Sequence, residues 1–118
     1  MIKFNVTVTR VLTYEVSVDE TKYNKDAQSD FESYMWPLPD TFDSDDPDVT
    51  AAAGFAQALA EQSARLGVNE FLEGFGRCGT DAETVKIRNE RTPETYVEGL
   101  YIDEIDDSIE SEIEKIEE

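Results

Sequence analysis

Histidine does not occur anywhere in the chain. That removes the commonest general base, the Ser/His and Cys/His nucleophile pairs and nearly all zinc sites. Cysteine occurs once, at Cys78, so no disulfide can form within the chain, which fits a reducing cytoplasm. The neighbouring Arg77 could lower the pKa of that thiol, but a lone cysteine in Gly76-Arg77-Cys78-Gly79 reads first as a small packed or loop residue. Basic residues are scarce. Against 28 Asp and Glu stand 10 Lys and Arg, a net charge of −18 over 118 residues. Such a balance excludes direct binding to nucleic acid or to an anionic membrane as the main activity, and favours a basic partner, a cation or a salty medium. No long apolar run is present, so neither a transmembrane segment nor a signal peptide is expected. The run GFGRCG lacks the spacing and the Lys-Ser/Thr ending of a phosphate loop. Carboxylates abound, but no nucleophile–base pair or metal-ligand spacing accompanies them. The expectation is a protein that is not an enzyme and uses no cofactor and no metal.

Hydrophobic residues at 39% and aromatics at 10% are enough for one folded domain over 1–118. Residues Ile2–Thr9 alternate apolar and polar, as do Leu12–Val18, which predicts two strands, each with one buried face. An antiparallel hairpin would join them at Arg10-Val11. No glycine or asparagine stands there for a tight primed turn, so the bend must be bulged or wide. Asp19 can cap a helix from Lys22 to Tyr34, with Tyr23, Ala27, Phe31 and Tyr34 at helical spacing, and Trp36-Pro37-Leu38-Pro39 stops it. This opening, from Ile2 to about Lys25, resembles the start of small DpnD/PcfM-type proteins of phages and mobile elements. The resemblance implies a mobile-element origin, with the host-cell cytoplasm as location.

The best helix signal is Val49–Leu66. Asp46 is a good cap, Pro47 a good first residue, and Ala52, Phe55, Leu59 and Leu66 a core stripe; Gly67-Val68 ends it. Asn69 can cap a short turn through Phe71, Leu72 and Phe75. Thr84–Glu90 alternates, which predicts a strand with Val85 and Ile87 inward. Lys86 and Arg88, with Arg77 and Arg91, form a basic cluster suited to pairing with the protein's own acids. Thr92-Pro93-Glu94 reads as a turn, and Thr95–Ile102 as a further strand. The expected class is α+β: an antiparallel sheet of three or four strands, helices packed on one face, and a C-terminal acidic helix.

That last element is the stretch Tyr101–Glu118, YIDEIDDSIESEIEKIEE. Ile102, Ile105, Ile109, Ile113 and Ile116 recur at steps of three, four, four and three, the stripe of an amphipathic helix. Off the stripe lie Asp103, Glu104, Asp106, Asp107, Glu110, Glu112, Glu114, Glu117 and Glu118. Asp103/Asp107, Asp106/Glu110, Glu110/Glu114 and Glu114/Glu118 are like-charged pairs four apart, each costing a helix about 0.2–0.5 kcal/mol. Only Lys115 offsets them, so the helix would fray at its end. As a helix, nine acids would lie along roughly 24 Å, one per ~2.7 Å. Duplex DNA carries one charge per about 1.7 Å.

A second acidic cluster, Asp40, Asp43, Asp45, Asp46 and Asp48, precedes the alanine-rich helix. An EF-hand is excluded, because the glycine at position six and the glutamate at position twelve are missing. If both clusters share a face, they can compete for the groove of a DNA- or RNA-binding protein. The candidate partner-binding residues are therefore Asp40, Asp43, Asp45, Asp46, Asp48, Asp103, Glu104, Asp106, Asp107, Glu110 and Glu114, with Trp36 as an aromatic anchor or a core plug. In character the chain is similar to phage-encoded acidic DNA mimics that block restriction or CRISPR systems. The partner expected is the basic surface of a nucleic-acid-binding protein. The alternatives are a small assembly protein that forms a homodimer through its isoleucine stripe, and acidity that serves solvation or salt adaptation. Against the last, residues 1–25 hold four bases and three acids, so the charge is localised.

Overall fold

A computed structural model of the chain describes residues 1–68, 70–91 and 95–116. The protein is α+β, with antiparallel sheets and helices. Its longest feature is a two-stranded ribbon made of β1, Phe4–Val18, and β4, Leu100–Lys115. The expected hairpin near Arg10 does not form, because β1 runs straight through it. The reason is visible in the phase. Phe4, Val6, Val8, Leu12, Tyr14, Val16 and Val18 are all even-numbered, so the alternation never changes face, and Arg10-Val11 offers no turn residue.

The C-terminal acidic helix does not form either; 100–115 is a strand. Ile105, Ile109 and Ile113 are four apart, a step that keeps one face of a helix and equally one face of a strand. The step of three from Ile102 to Ile105 is absorbed by a β-bulge, where Thr13 pairs Asp106 and Tyr14 pairs Glu104. Ile116 lies past the strand end, its N–H bonded to the Lys3 carbonyl at 3.0 Å. Three forces favour the strand. Isoleucine is β-branched, the like-charged pairs four apart penalise a helix, and β1 offers a matching edge for its whole length. Thr7, Thr9 and Thr13 stand opposite Glu112, Glu110 and Asp106, so these three acids face polar, uncharged partners, while Asp103 faces Glu15.

The sheet has two strands rather than three or four. A separate two-residue pair, β2 (Phe71–Leu72) with β3 (Gly76–Arg77), covers the expected turn region. The expected strand Thr84–Glu90 is instead helix α3, Ala82–Arg91. Asp81 starts it, accepting the Thr84 N–H at 2.7 Å and the Thr84 hydroxyl at 3.1 Å; these bonds hold its carboxyl below the usual range. Only Val85 is buried, while Ile87 is exposed, so two apolar residues could not define a strand against Ala, Glu, Lys and Arg. The expected strand Thr95–Ile102 begins only at Leu100, after Gly99 at φ 97°. The Asn69 cap and the Thr92-Pro93-Glu94 turn lie outside the described residues.

The helical layer is closer to expectation. Helix α1 is Lys25–Tyr34. Its cap is Asn24, whose side chain accepts the Ala27 N–H at 3.1 Å, not Asp19, which instead holds Thr21 through backbone and hydroxyl. Helix α2 is Pro47–Leu66, capped by Asp46 and closed at Gly67, φ 99°, whose N–H bonds the Ser63 carbonyl at 2.7 Å. Phe55 and Leu59 are buried as expected, but Leu66 is 58% exposed. A Cβ on Gly54 would come within 2.8 Å of the Pro39 carbonyl, so this glycine lets the Leu38-Pro39 segment lie directly on α2. The core joins Phe31, Leu38, Phe55, Leu59, Leu72, Phe75, Leu100 and Ile102, with Val16 and Val18 of β1 packed against it.

The molecule measures 60 × 39 × 24 Å with a radius of gyration of 18.5 Å. A compact chain of this length would have a radius near 13–14 Å. The excess comes from the ribbon. Helix α2 spans about 30 Å and β1 about 50 Å, so the helices cover only the inner end. Residues 4–11 and 103–115 are exposed throughout.

Candidate functional site

The cross-strand register sorts every ribbon side chain onto one of two faces, because directly opposed residues share a face. One face continues the core. Val18/Leu100 and Val16/Ile102 meet the helices; further out follow Tyr14/Glu104, Leu12/Asp107, Arg10/Ile109, Val8/Ser111, Val6/Ile113 and Phe4/Lys115. The other face holds Glu15/Asp103, Thr13/Asp106, Val11/Ser108, Thr9/Glu110, Thr7/Glu112 and Asn5/Glu114. No lysine or arginine stands on this second face within the paired stretch. Glu110, Glu112 and Glu114 follow one another at alternate positions, about 6.8 Å apart; Ser108 separates them from Asp106, and the bulge separates Asp106 from Asp103.

Of the predicted partner-binding residues, Asp103, Asp106, Glu110 and Glu114 come together on this acidic face, joined by Glu112. Asp107 and Glu104 go to the opposite face. There Arg10 donates to both carboxylate oxygens of Asp107, at 2.9 and 2.7 Å, and holds its carboxyl below the usual range. Tyr14 is pushed up, first by burial and then by nearby Glu104. The aspartate loop does not join the acidic face. Thr41 and Phe42 line a cavity with Tyr14, Val16, Ala53 and Gln57, which places the loop with α2 on the core side of the ribbon. Two of its acids are structural: Asp46 caps α2, and Asp48 accepts the Lys25 N–H at 3.0 Å, at the start of α1. Asp40 and Asp45 line a small cavity with Lys25 and Gln28; Asp43 is exposed. Trp36 is half-buried with its ring edge-on to Phe31 at 5.6 Å, so it closes the core, while Tyr34 is 65% exposed.

The expected basic cluster is organised around an aromatic ring. The guanidinium carbons of Arg77 and Arg88 lie 6.0 and 5.5 Å from the Tyr96 ring centroid, and Arg88 donates to the Tyr96 hydroxyl at 2.8 Å. Among the described residues no group of three or more acids or cysteines is arranged to hold a metal ion, and no helix is long and apolar enough to cross a membrane. Cys78 is 3% exposed, and burial pushes its thiol up to about 11. A thiol shifted up by two units exposes about a hundredfold less thiolate at neutral pH. Cys78 is therefore expected to resist iodoacetamide in the native protein and to react at the rate of a free thiol once urea unfolds the chain. Equal rates in the two states would contradict its burial.

Sequence reasoning missed the bare apolar face. Phe4, Val6 and Val8 were expected on a buried strand face and Ile109 and Ile113 on a helical stripe, yet they are 51%, 57%, 61%, 66% and 69% exposed on one ribbon face. A signal was present: the unbroken even-numbered phase through Arg10 implies one strand longer than any helix of the chain can cover. Compared with family models, with curated proteins and with solved structures, the chain matches none.

Proposed function

We propose that this is a non-enzymatic acidic binding protein whose acidic ribbon face occupies the basic groove of a DNA- or RNA-binding protein, such as a defence enzyme that a phage or mobile element must block. The observation that carries the reading is the one-sided row Asp103, Asp106, Glu110, Glu112 and Glu114, on an extended arm, facing Glu15, three threonines and Asn5 and no cation. The extended backbone changes the form of the mimicry. The five β4 acids of this face, Asp103 to Glu114, are spread over about 40 Å, one per ~8 Å, about a third of the density a helix would give. A single strand of B-DNA carries one charge per about 3.4 Å. The ribbon thus presents a single linear row of charge, at less than half the density of one DNA strand, suited to a groove that tracks one backbone.

The test is capture from a host lysate at low and high salt, with wild type and with a variant carrying Asp106→Asn, Glu110→Gln, Glu112→Gln and Glu114→Gln. Wild type is expected to retain a nucleic-acid-binding protein at low salt, to lose it at high salt, and to be displaced by DNA or RNA. The variant should bind at least about tenfold more weakly, since four exposed charges are removed. A partner retained equally by the neutralised variant sinks the proposal.

A further inference from the structure

The opposite, apolar face of the ribbon carries an inference that does not rest on the acidic-face reading. A two-stranded ribbon is marginal in water unless a further layer covers it. This one leaves Phe4, Val6, Val8, Ile109 and Ile113 bare in a continuous strip. The strip runs into a groove of about 530 Å³ where α2 ends, walled by Leu12, Tyr14, Leu66, Arg10, Arg65 and Glu104. At about 60–120 Å² per such side chain, strip and groove leave on the order of 600 Å² of apolar surface on each chain. That is as large as the biggest patch on an ordinary monomer.

We infer that the occupant is a second copy of this chain, with the two ribbons stacked face to face and antiparallel about a two-fold axis near Ile109. The charges on the strip argue for this pairing. Arg10 and Asp107 neutralise each other in the middle. Lys115 lies at the outer tip, across from Phe4, and Glu104 lies at the inner end, across from Tyr14. An antiparallel stack brings each Lys115 over the Glu104 of the other copy, and each Phe4 into the groove beside Tyr14 and Leu66. A two-fold interface must be self-complementary, and a ribbon face with Lys115 at one end and Glu104 at the other is so in the antiparallel sense, with Arg65 of α2 beside Glu104 at the groove. The heavy negative charge does not oppose it, because Asp106, Glu110, Glu112 and Glu114 point away from the contact. Stacking two such faces buries about 1,200 Å², the lower bound of a stable interface. The dimer then shows an acidic row on each outer side.

Sedimentation velocity over a wide concentration range tests the arrangement, using the full chain. Wild type should shift from monomer to dimer as concentration rises. Val8→Thr with Ile109→Thr keeps β-forming residues at exposed positions, so the fold should persist by circular dichroism while the dissociation constant rises about tenfold or more. Lys115→Glu should weaken the dimer, and adding Glu104→Lys should restore it. A wild type that stays monomeric at all concentrations overturns the inference. So does a dimer indifferent to the threonine pair, which would place the contact at a strand edge, or a charge swap that fails to rescue.

Discussion

Phe31→Ala should lower the stability of the fold by about 3–5 kcal/mol, read as a fall in the urea midpoint at unchanged slope. Phe31 is 4% exposed and is the meeting point of the helical layer. Its ring lies 5.6 Å from each of Trp36, Phe55 and Phe75, so it touches the loop after α1, the middle of α2 and the β2–β3 hairpin at once. On another side it rests on the backbone of Gly74, where a Cβ would come within 3.0 Å of the ring. Neighbours drawn from separate elements cannot all move in to fill the space, so most of the cavity should persist. Against a total of about 5–15 kcal/mol for a domain, this is a third or more of the stability. Tyr34→Ala, one turn later on the same helix at a 65% exposed position, should cost well under about 1 kcal/mol. A similar loss at both positions would mean that the aromatic cluster does not hold the layer together.

The parts of this fold that could be read in advance are those set by local chemistry. Helix α2 was legible because Asp46-Pro47 and Gly67 mark its ends in terms that depend on no distant residue. The stop at Trp36-Pro37 was legible for the same reason. The third expected strand, Thr84–Glu90, failed on a local signal that competed with alternation: Asp81 three residues before Thr84 is a helix start, and it won. Asp19 and Asn24 are both chemically fit to cap α1, and nothing local separates them. Asp19 was drawn off by Thr21.

The candidate site was legible in composition and misread in geometry. A run of Asp and Glu with isoleucine every fourth residue announces one apolar and one acidic face whichever backbone it takes. What decides the backbone is the partner some ninety residues earlier. Arg10 and Asp107, for example, meet only once β1 and β4 have paired. Residue spacing carries no record of such a contact, nor of the bulge that absorbs the odd step at Ile105. The consequence for function is large, since strand geometry cuts the charge density to about a third and separates Asp40–Asp48 from the acidic row.

Ile102→Ala and Ile109→Ala should differ widely, although both remove the same atoms from the same face of the same strand. In a helical stripe the two positions would be equivalent. In the ribbon, Ile102 is 2% exposed, opposite Val16 and inside the core, while Ile109 is 66% exposed, opposite Arg10. The first substitution should cost about 2–5 kcal/mol through lost burial and a residual cavity. The second, in dilute solution where the chain is monomeric, should cost no more than about 1 kcal/mol, the loss of strand propensity at a solvated site. Urea unfolding at low protein concentration measures both. Raising the concentration separates them further. A dimer stacked on the apolar strip stabilises the folded state by mass action, so the penalty at Ile109 should grow with concentration while that at Ile102 stays constant. Equal penalties at every concentration would exclude a bare ribbon and would return Ile109 to a covered core.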